Sequence, residues 1–360
     1  MKIFILNFLL LGAISAQAQH FTSQTVNGKL LWGLEDENGK IIGLMKYNDA
    51  KLFKNGYGQV LLNGKWGLID SLGKETTALK YDKFYHSDFA DSEGFWAVML
   101  DNKWGFIDKK GKEIISPQYE DVRKFSEGFA AVKKNGKFGF INTAGKEVIP
   151  FQYDNTFGFS RGWASIQFNG KWGFIDQSGK EVIPFKYENS GGFSTKNGLA
   201  AVQLDGKWGF IDKTGKLNIN FQYDNVGFFN DGLACVKSNG KWGFINEKGE
   251  LVIPYQYDGF YDMAHIFKDG LCRVSRNKKW GVIDIKGKEI IPLKYDDMSY
   301  EMKDGLMKVK LGGVWGIVDK TGKEIVPPTK YTIINDFSDG LALVYIGAKY
   351  GFIDKTGKIL

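Results

Sequence analysis

The chain repeats one short pattern about ten times, and this repetition constrains its fold more than any other feature. A Trp-Gly dipeptide, or an aromatic-Gly equivalent, recurs at intervals of 34 to 38 residues. The aromatic positions, which mark copies 1 to 10, are Trp32, Trp66, Trp104, Phe138, Trp172, Trp208, Trp242, Trp280, Trp315 and Tyr350. A period of this length is typical of solenoids, propellers and similar arrays, in which each unit buries its apolar face against its neighbours.

Each copy is predicted to form three short β-strands, because helical periodicity is absent. In copy 4 these strands cover 129–134, 137–142 and 147–153. The Asn135-Gly136 pair between the first two predicts a tight hairpin, since a type I′ turn needs positive φ at both central positions. All seven prolines lie in or beside an Ile-Pro slot of the third strand. Proline cannot donate to a β-ladder, so that strand is expected to be kinked or at an edge.

The pattern F-S-E-G-F-A, followed by N-G-K-W-G-F-I-D-x-x-G-K-E-V-I-P-x-x-Y-D, resembles the WG-containing (KWG) β-repeat family of bacteria. The resemblance spans essentially all of residues 20–360, and we assign residues 19–360 to one repeat domain. It implies a tandem β-repeat fold without a particular activity. Copy 6 departs from the pattern at Asn220, which replaces the proline, and copy 10 reaches Leu360 early in its third strand.

We therefore expect an all-β array of about ten three-stranded antiparallel meanders. A single meander is marginally stable, so its large apolar residues must pack against the next copy. Propellers typically have about 4–8 four-stranded blades, which ten three-stranded units fit poorly. An open, superhelical β-solenoid is the favoured arrangement, and a closed, propeller-like ring is the alternative.

The first residues indicate export. Lys2 precedes an apolar run over 3–14, and Ala16-Gln17-Ala18 is a typical cleavage site. Residues 1–18 are thus predicted to be a Sec-type signal peptide, since the run is short for a bilayer span of about 20 residues. We expect the protein in the periplasm, at the cell surface or outside the cell, with no transmembrane segment after cleavage.

Three recurrent rows of polar or aromatic residues have a structural interpretation. Asp or Asn stands four residues after every marker aromatic and Gly three residues later, from Asp36 and Gly39 to Asp354 and Gly357; this spacing predicts a type I turn. Lysines beside the turns, which underlie the net charge of +7, are expected to protect strand edges. Nucleic acid is not expected as a partner. The Trp row and the Tyr row at the end of the third strand are expected to fill the core.

Catalytic, metal and disulfide chemistry is not predicted. The three histidines, His20, His86 and His265, have no neighbour at ligand spacing. Cys235 and Cys272 align one position apart in adjacent copies, and neighbouring strand positions point to opposite faces. We therefore predict two free thiols, no cofactor and no enzymatic activity.

Two enlarged linkers are the candidate binding loops. The linker from the end-strand Tyr to the next Phe is usually six residues, but it grows to eight after Tyr81 and to ten after Tyr257. Insertions in repeat proteins often lie on the binding face. Both loops carry an aromatic pair and a histidine, so the predicted binding residues are Phe84, Tyr85, His86, Phe260, Tyr261 and His265.

These observations favour an exported, non-enzymatic scaffold that presents a repeat surface to a protein partner in the cell envelope or outside the cell. A glycan- or cell-wall-binding module is the alternative, with polysaccharide as its ligand. Composition is compatible with either, since 43% hydrophobic and 25% charged residues exclude a disordered chain.

Overall fold

The computed structural model describes residues 20–26, 28–36, 38–54, 56–85, 93–193, 197–259, 267–300, 302–337 and 340–360. The expected leader, residues 1–18, lies outside this part. Every regular element of the described residues is a β-strand, which confirms the all-β prediction. The chain divides into two compact units, residues 1–159 and 160–360.

The first unit contains four antiparallel meanders, sheets 1 to 4, in which consecutive strands are neighbours. Its strands are β1 (His20–Val26), β2 (Lys29–Glu35) and β3 (Ile41–Tyr47) in sheet 1, β4 (Asp49–Lys54), β5 (Tyr57–Leu62) and β6 (Lys65–Asp70) in sheet 2, β7 (Lys83–Phe84), β8 (Phe95–Leu100), β9 (Lys103–Asp108) and β10 (Glu113–Tyr119) in sheet 3, and β11 (Asp121–Val122), β12 (Phe129–Lys134), β13 (Lys137–Asn142) and β14 (Glu147–Tyr153) in sheet 4.

The second unit continues the same order in sheets 5 to 10, and the division between the units falls within the first strand of sheet 5. Its strands are β15 (Asn155–Ser160), β16 (Trp163–Phe168), β17 (Lys171–Asp176) and β18 (Glu181–Tyr187) in sheet 5, β19 (Asn189–Phe193), β20 (Ala200–Leu204), β21 (Lys207–Ile211) and β22 (Leu217–Tyr223) in sheet 6, β23 (Asn225–Val226), β24 (Leu233–Ser238), β25 (Lys241–Asn246) and β26 (Leu251–Tyr257) in sheet 7, β27 (Leu271–Arg276), β28 (Lys279–Asp284) and β29 (Glu289–Tyr295) in sheet 8, β30 (Asp297–Met298), β31 (Leu306–Leu311), β32 (Val314–Asp319) and β33 (Glu324–Tyr331) in sheet 9, and β34 (Ile333–Ile334), β35 (Leu341–Ile346) and β36 (Lys349–Asp354) in sheet 10.

The expected open β-solenoid of three-stranded meanders is wrong. Within the described residues, sheets 3 to 7 and sheet 9 have four strands, which is the blade unit of β-propellers. The extra strand comes from the linker: Asp121 and Val122, just after the end-strand Tyr, pair with Lys133 and Val132. A strand of two residues has no alternation for a sequence pattern to reveal. The propeller-like alternative is the one that these sheets match.

A bulge opposite the Trp-Gly pair explains why glycine recurs there. In sheet 7, Trp242 pairs with Tyr257 and Phe244 pairs with Ile253, so Gly243 alone faces three residues of the next strand. A Cβ atom on Gly243 would lie 2.7 Å from the Ile253 carbonyl oxygen, closer than carbon atoms approach backbone oxygen. Only glycine therefore lets the two strands meet, and Pro254 occupies the exposed side of the bulge.

Consecutive sheets pack face to face within each unit. In the second unit, Trp242, Phe244 and Tyr257 of sheet 7 share one buried cluster with Phe267 and Val274, which belong to sheet 8 and its linker. In the first unit, sheets 3 and 4 form an equivalent cluster. Sheet 8, for example, contributes one face to the cluster shared with sheet 7 and the other to a cluster shared with sheet 9, as a repeat array requires.

Gly243→Ala is expected to lower the free energy of unfolding by about 1–3 kcal/mol, because the added methyl group forces backbone strands apart. Gly351→Ala is the matched control: it changes the same position of copy 10, where nothing lies within 4 Å of the new Cβ. Urea unfolding of both variants makes the comparison. An equal loss of unfolding free energy in the two variants would show that the close approach at the bulge is not the reason for glycine at this position.

Candidate functional site

The Asp/Asn row forms turns, as predicted. In copy 9 the Asp319 carboxylate accepts the backbone N–H groups of Thr321 and Lys323, at 2.8 and 3.1 Å. The backbone N–H of Gly322 donates to the Asp319 carbonyl at 3.0 Å. The same hydrogen bond from the backbone N–H two residues later recurs in all ten copies. The side-chain oxygens of this Asp/Asn row therefore accept hydrogen bonds from the turns that they begin.

Five of the eight lysines that precede a marker aromatic form an ion pair with the Asp that follows the end-strand Tyr of the same copy; they are Lys65, Lys137, Lys207, Lys241 and Lys279. Lys65 and Asp82 are 2.5 Å apart, and Asp82 also accepts the backbone N–H of Asp101 in the next hairpin. Lys207 and Asp224 repeat the ion pair at 2.6 Å. The linker acid Asp82 thereby connects successive sheets, and each of these five lysines has an acidic partner within its own copy.

A second recurrent contact joins one copy to the next, and we call it the tyrosine clamp. At the junction of copies 8 and 9, the Glu324 carboxylate accepts hydrogen bonds from Lys294 Nζ at 3.0 Å and from the Tyr295 hydroxyl at 3.1 Å. The hydrogen bond from Lys294 lowers the pKa of Glu324, while burial raises the pKa of Tyr295. The equivalent carboxylates of copies 2 and 3 are Glu75 and Glu113.

The clamp is incomplete between copies 9 and 10. The position that Glu324 holds in copy 9 is occupied in copy 10 by Ile359. The Tyr331 side chain is only 1% exposed, and its hydroxyl has no hydrogen-bond partner in the described structure. Lys330 lies over the Tyr331 ring at 4.8 Å, as Lys294 does over Tyr295. Two of the three clamp groups are thus present at this junction, and the acceptor is missing.

Ile359→Glu is expected to restore the clamp and to raise the free energy of unfolding by about 1 kcal/mol, since a buried hydroxyl gains an acceptor. The Tyr331→Phe background provides the control, because the hydroxyl is then absent and most of the gain should vanish. Thermal unfolding of the original chain, the two single variants and the double variant measures the coupling between residues 331 and 359. An equal gain in the free energy of unfolding with Tyr331 and with Phe at this position would contradict the clamp.

The aromatic rows mostly fill the core, as predicted, with one departure. Each described marker aromatic of copies 1 to 9 pairs across strands with the end-strand Tyr, and those tyrosines are buried. Tyr350 of copy 10 is instead 72% exposed. These rows therefore stabilise the sheets, and they are not continuous platforms for a sugar chain.

Cys235 and Cys272 are free thiols, and both lie in the buried cluster that sheets 7 and 8 share. Burial raises the pKa of both thiols, which makes them poor nucleophiles.

Of the predicted binding residues, the structure describes Phe84 and Tyr85. Phe84 belongs to β7, is only 8% exposed, and makes edge-on contacts with Tyr81 and Trp96 at 6.1 and 5.6 Å. Tyr85 is half-buried against Trp104 at 5.5 Å. Both rings pack against the sheets. The other four predicted residues lie outside the described residues: His86, Phe260, Tyr261 and His265.

A cavity of about 400 Å³ lies at the junction of sheets 9 and 10. Two linkers and the middle strands of sheet 9 enclose it. Its apolar lining comes from β31, β32 and the linker after β34, and comprises Leu306, Met307, Trp315, Ile317 and Phe337. This volume holds an amino-acid side chain or a small ligand, and we take this junction cavity as the candidate site.

The cavity coincides with a change in the repeat. Copies 3 to 7 have a buried Phe two residues after the marker aromatic, and in copy 7 this Phe244 contacts the linker Phe267 at 5.0 Å. Copy 9 has Ile317 there, opposite the linker Phe337. Copy 9 thus has a smaller side chain where copies 3 to 7 have a second ring; copies 1, 2 and 8 also have an aliphatic residue there, at Leu34, Leu68 and Val282.

Charged and polar groups surround the mouth of the cavity. Lys303 and Lys308 both contact Asp336, at 3.2 and 2.5 Å. Hydrogen bonds from these lysines lower the pKa of Asp336. The half-exposed Tyr300 also lies at the mouth, with the Arg273 guanidinium 5.6 Å from its ring centre. The cavity therefore has an apolar interior, and the described charged residues at its mouth are two lysines and one aspartate.

The described residues contain no group of three or more His, Cys, Asp or Glu side chains placed to hold a metal ion. They also contain no helix with the length and hydrophobicity needed to cross a membrane.

A family model described as WG containing repeat matches nine consecutive segments of the chain. They are residues 32–66, 66–104, 104–138, 138–172, 172–208, 208–242, 242–280, 280–315 and 315–350. The matches cover most of the sequence and use the same marker aromatics. No curated protein matches this sequence.

Solved structures share similarity with this chain at low identity. One described as the crystal structure of the eukaryotic initiation factor is 13% identical, with a TM-score of 0.51 over 96% of this chain and 95% of that chain. Dihydro-heme d1 dehydrogenase NirN is 15% identical, with a TM-score of 0.40 over 75% and 73%. Hsv2p of Kluyveromyces lactis is 12% identical, with a TM-score of 0.39 over 66% and 92%. The first likeness concerns the fold alone.

Proposed function

This chain belongs to the family of WG-containing repeat proteins, and we propose that it is an exported, non-enzymatic scaffold that binds a protein partner in the cell envelope or outside the cell. The junction cavity carries this proposal. At this junction copy 9 has Ile317 where copies 3 to 7 have Phe, and copy 10 has Ile359 where copies 2, 3 and 9 have the clamp carboxylate.

The cavity suits an apolar side chain of a protein partner. A buried apolar anchor in a pocket, surrounded by a polar rim, is how protein interfaces concentrate their binding energy. Leu306, Ile317 and Phe337 provide the apolar interior, while Lys303 and Asn335 lie among the polar residues of the lining. The recurrent acids of the array are engaged in turns and ion pairs, which favours binding over catalysis.

Ile317→Phe is expected to fill the cavity with the side chain that copies 3 to 7 have at this position, and to abolish partner capture. The purified full chain would be immobilised and exposed to an envelope extract, with half of the extract treated with protease beforehand. The proposal is supported if the original chain captures a protein from the untreated extract, if the Ile317→Phe variant does not, and if protease treatment of the extract removes the capture. Leu34→Phe, the same kind of change in copy 1, is the control and should leave capture intact.

A glycan- or cell-wall-binding role is the second candidate, because Tyr300 and Trp315 place two aromatic rings at the cavity. Such rings can stack on sugar units. Retention of sugar-containing material after proteolysis, with its loss in Ile317→Phe, would favour this role over a protein partner. Capture that Ile317→Phe does not change would rule the cavity out for both.

Export makes a separate prediction. We expect the protein recovered outside the cytoplasm to begin at Gln19, because signal peptidase cleaves after the Ala-x-Ala motif that ends at Ala18. Mass spectrometry of the intact protein and its N-terminal peptide measures this. A chain that retains Met1 or Lys2 in that fraction would contradict cleavage.

A further inference from the structure

We infer that the junction cavity recognises an acidic segment of a protein, with one apolar side chain in the cavity and neighbouring carboxylates on Lys303 and Lys308. This inference rests on the proposed function and names the chemistry of the partner. The two lysines are held at the mouth by Asp336, which the partner's carboxylates would replace.

The charge at the mouth supports an acidic partner. Among the described residues that line the cavity, Lys303 and Lys308 share the single carboxylate of Asp336, so these three groups carry a formal charge of +1. Asp304, the residue after Lys303, is paired with Lys355 at 2.7 Å, and Lys355 and Lys303 both lower its pKa. A positive rim of this kind attracts acidic segments and discourages basic ones.

The Arg273 guanidinium lies beside the linker that forms one side of the mouth, 5.6 Å from the centre of the Tyr300 ring. It donates hydrogen bonds to the carbonyl oxygens of Met298 and Ser299 in this linker, at 2.8 and 2.7 Å, which fix its position.

Asp336 lies where a ligand carboxylate would lie. Its side chain is about half exposed and belongs to a linker, so it can move without disturbing a strand. Lys308 is the less exposed of its two partners, and a carboxylate on it would lie close to the apolar interior. The intramolecular ion pair thus keeps the lysines oriented, and it competes with acidic ligands.

The test uses three acetylated and amidated pentapeptides. The first has phenylalanine between two pairs of aspartates, the second has phenylalanine between two pairs of lysines, and the third has alanine between the aspartates. Met307 lines the cavity and is one of seven methionines in the sequence, so its ¹³C-methyl NMR signal, assigned with Met307→Leu, reports binding at this place.

We expect the aspartate–phenylalanine peptide to shift the Met307 signal, and the other two peptides to bind much more weakly. Asp336→Asn should tighten binding of the first peptide by about tenfold, because both lysines lose their internal competitor. The double variant Lys303→Gln, Lys308→Gln should weaken it by a similar factor. Lys303 and Asp336 are exposed and Lys308 is partly buried, and unchanged signals of the methionines outside the cavity in the free variants would verify the fold.

Three results would overturn the inference. They are equal binding of the two phenylalanine peptides, no effect of Asp336→Asn on the affinity, and no shift of the Met307 signal with any peptide. Equal binding of the two phenylalanine peptides leaves the cavity as a site for apolar side chains without an acidic requirement. The proposed function is judged separately, by whether Ile317→Phe abolishes partner capture from the envelope extract.

Discussion

In copies 3 to 9, the close approach between the glycine after the marker aromatic and the bulged strand beside it determines how a copy is built. Because Gly243 has no side chain, the bulged strand can pass over it while Trp242 and Phe244 keep their cross-strand partners on either side. The bulge offsets the strand by two residues, and it brings Tyr257 into register with Trp242. Glycine, aromatic and proline positions of the repeat are therefore consequences of one backbone contact, and the aromatic itself can be Trp, Phe or Tyr.

Cohesion between copies depends on a second, more variable set of contacts. Linker acids such as Asp82 connect one sheet to the hairpin of the next, and clamp carboxylates such as Glu324 accept from the previous copy. Partly exposed ion pairs of this kind contribute little individually, so the buried apolar clusters supply most of the cohesion. A copy can consequently lose a clamp residue without losing its fold, which leaves these positions open to change.

The sequence was sufficient to predict the strands of each copy, the turns and the buried aromatic rows, because each has a local signal. Asn135-Gly136 specifies its hairpin, and the Asp319 to Gly322 spacing specifies its turn. The fourth strand could not be predicted, since two residues such as Asp121 and Val122 show no periodicity and pair only through the tertiary structure. The sheet architecture was therefore assigned incorrectly.

The candidate site could not be predicted from the sequence for a related reason. The longer linkers after Tyr81 and Tyr257 predicted binding loops, but Phe84 in the first of these linkers is a core residue. The cavity is lined by Ile317, which stands at a position that is phenylalanine in copies 3 to 7 and differs from it in volume without a change of length. Such a change is visible in the sequence, but its meaning depends on Phe337 coming from the next linker. In an array whose copies are held together by many similar contacts, a junction that lacks both a ring and a clamp carboxylate is the place where binding a ligand requires the fewest internal contacts to be broken.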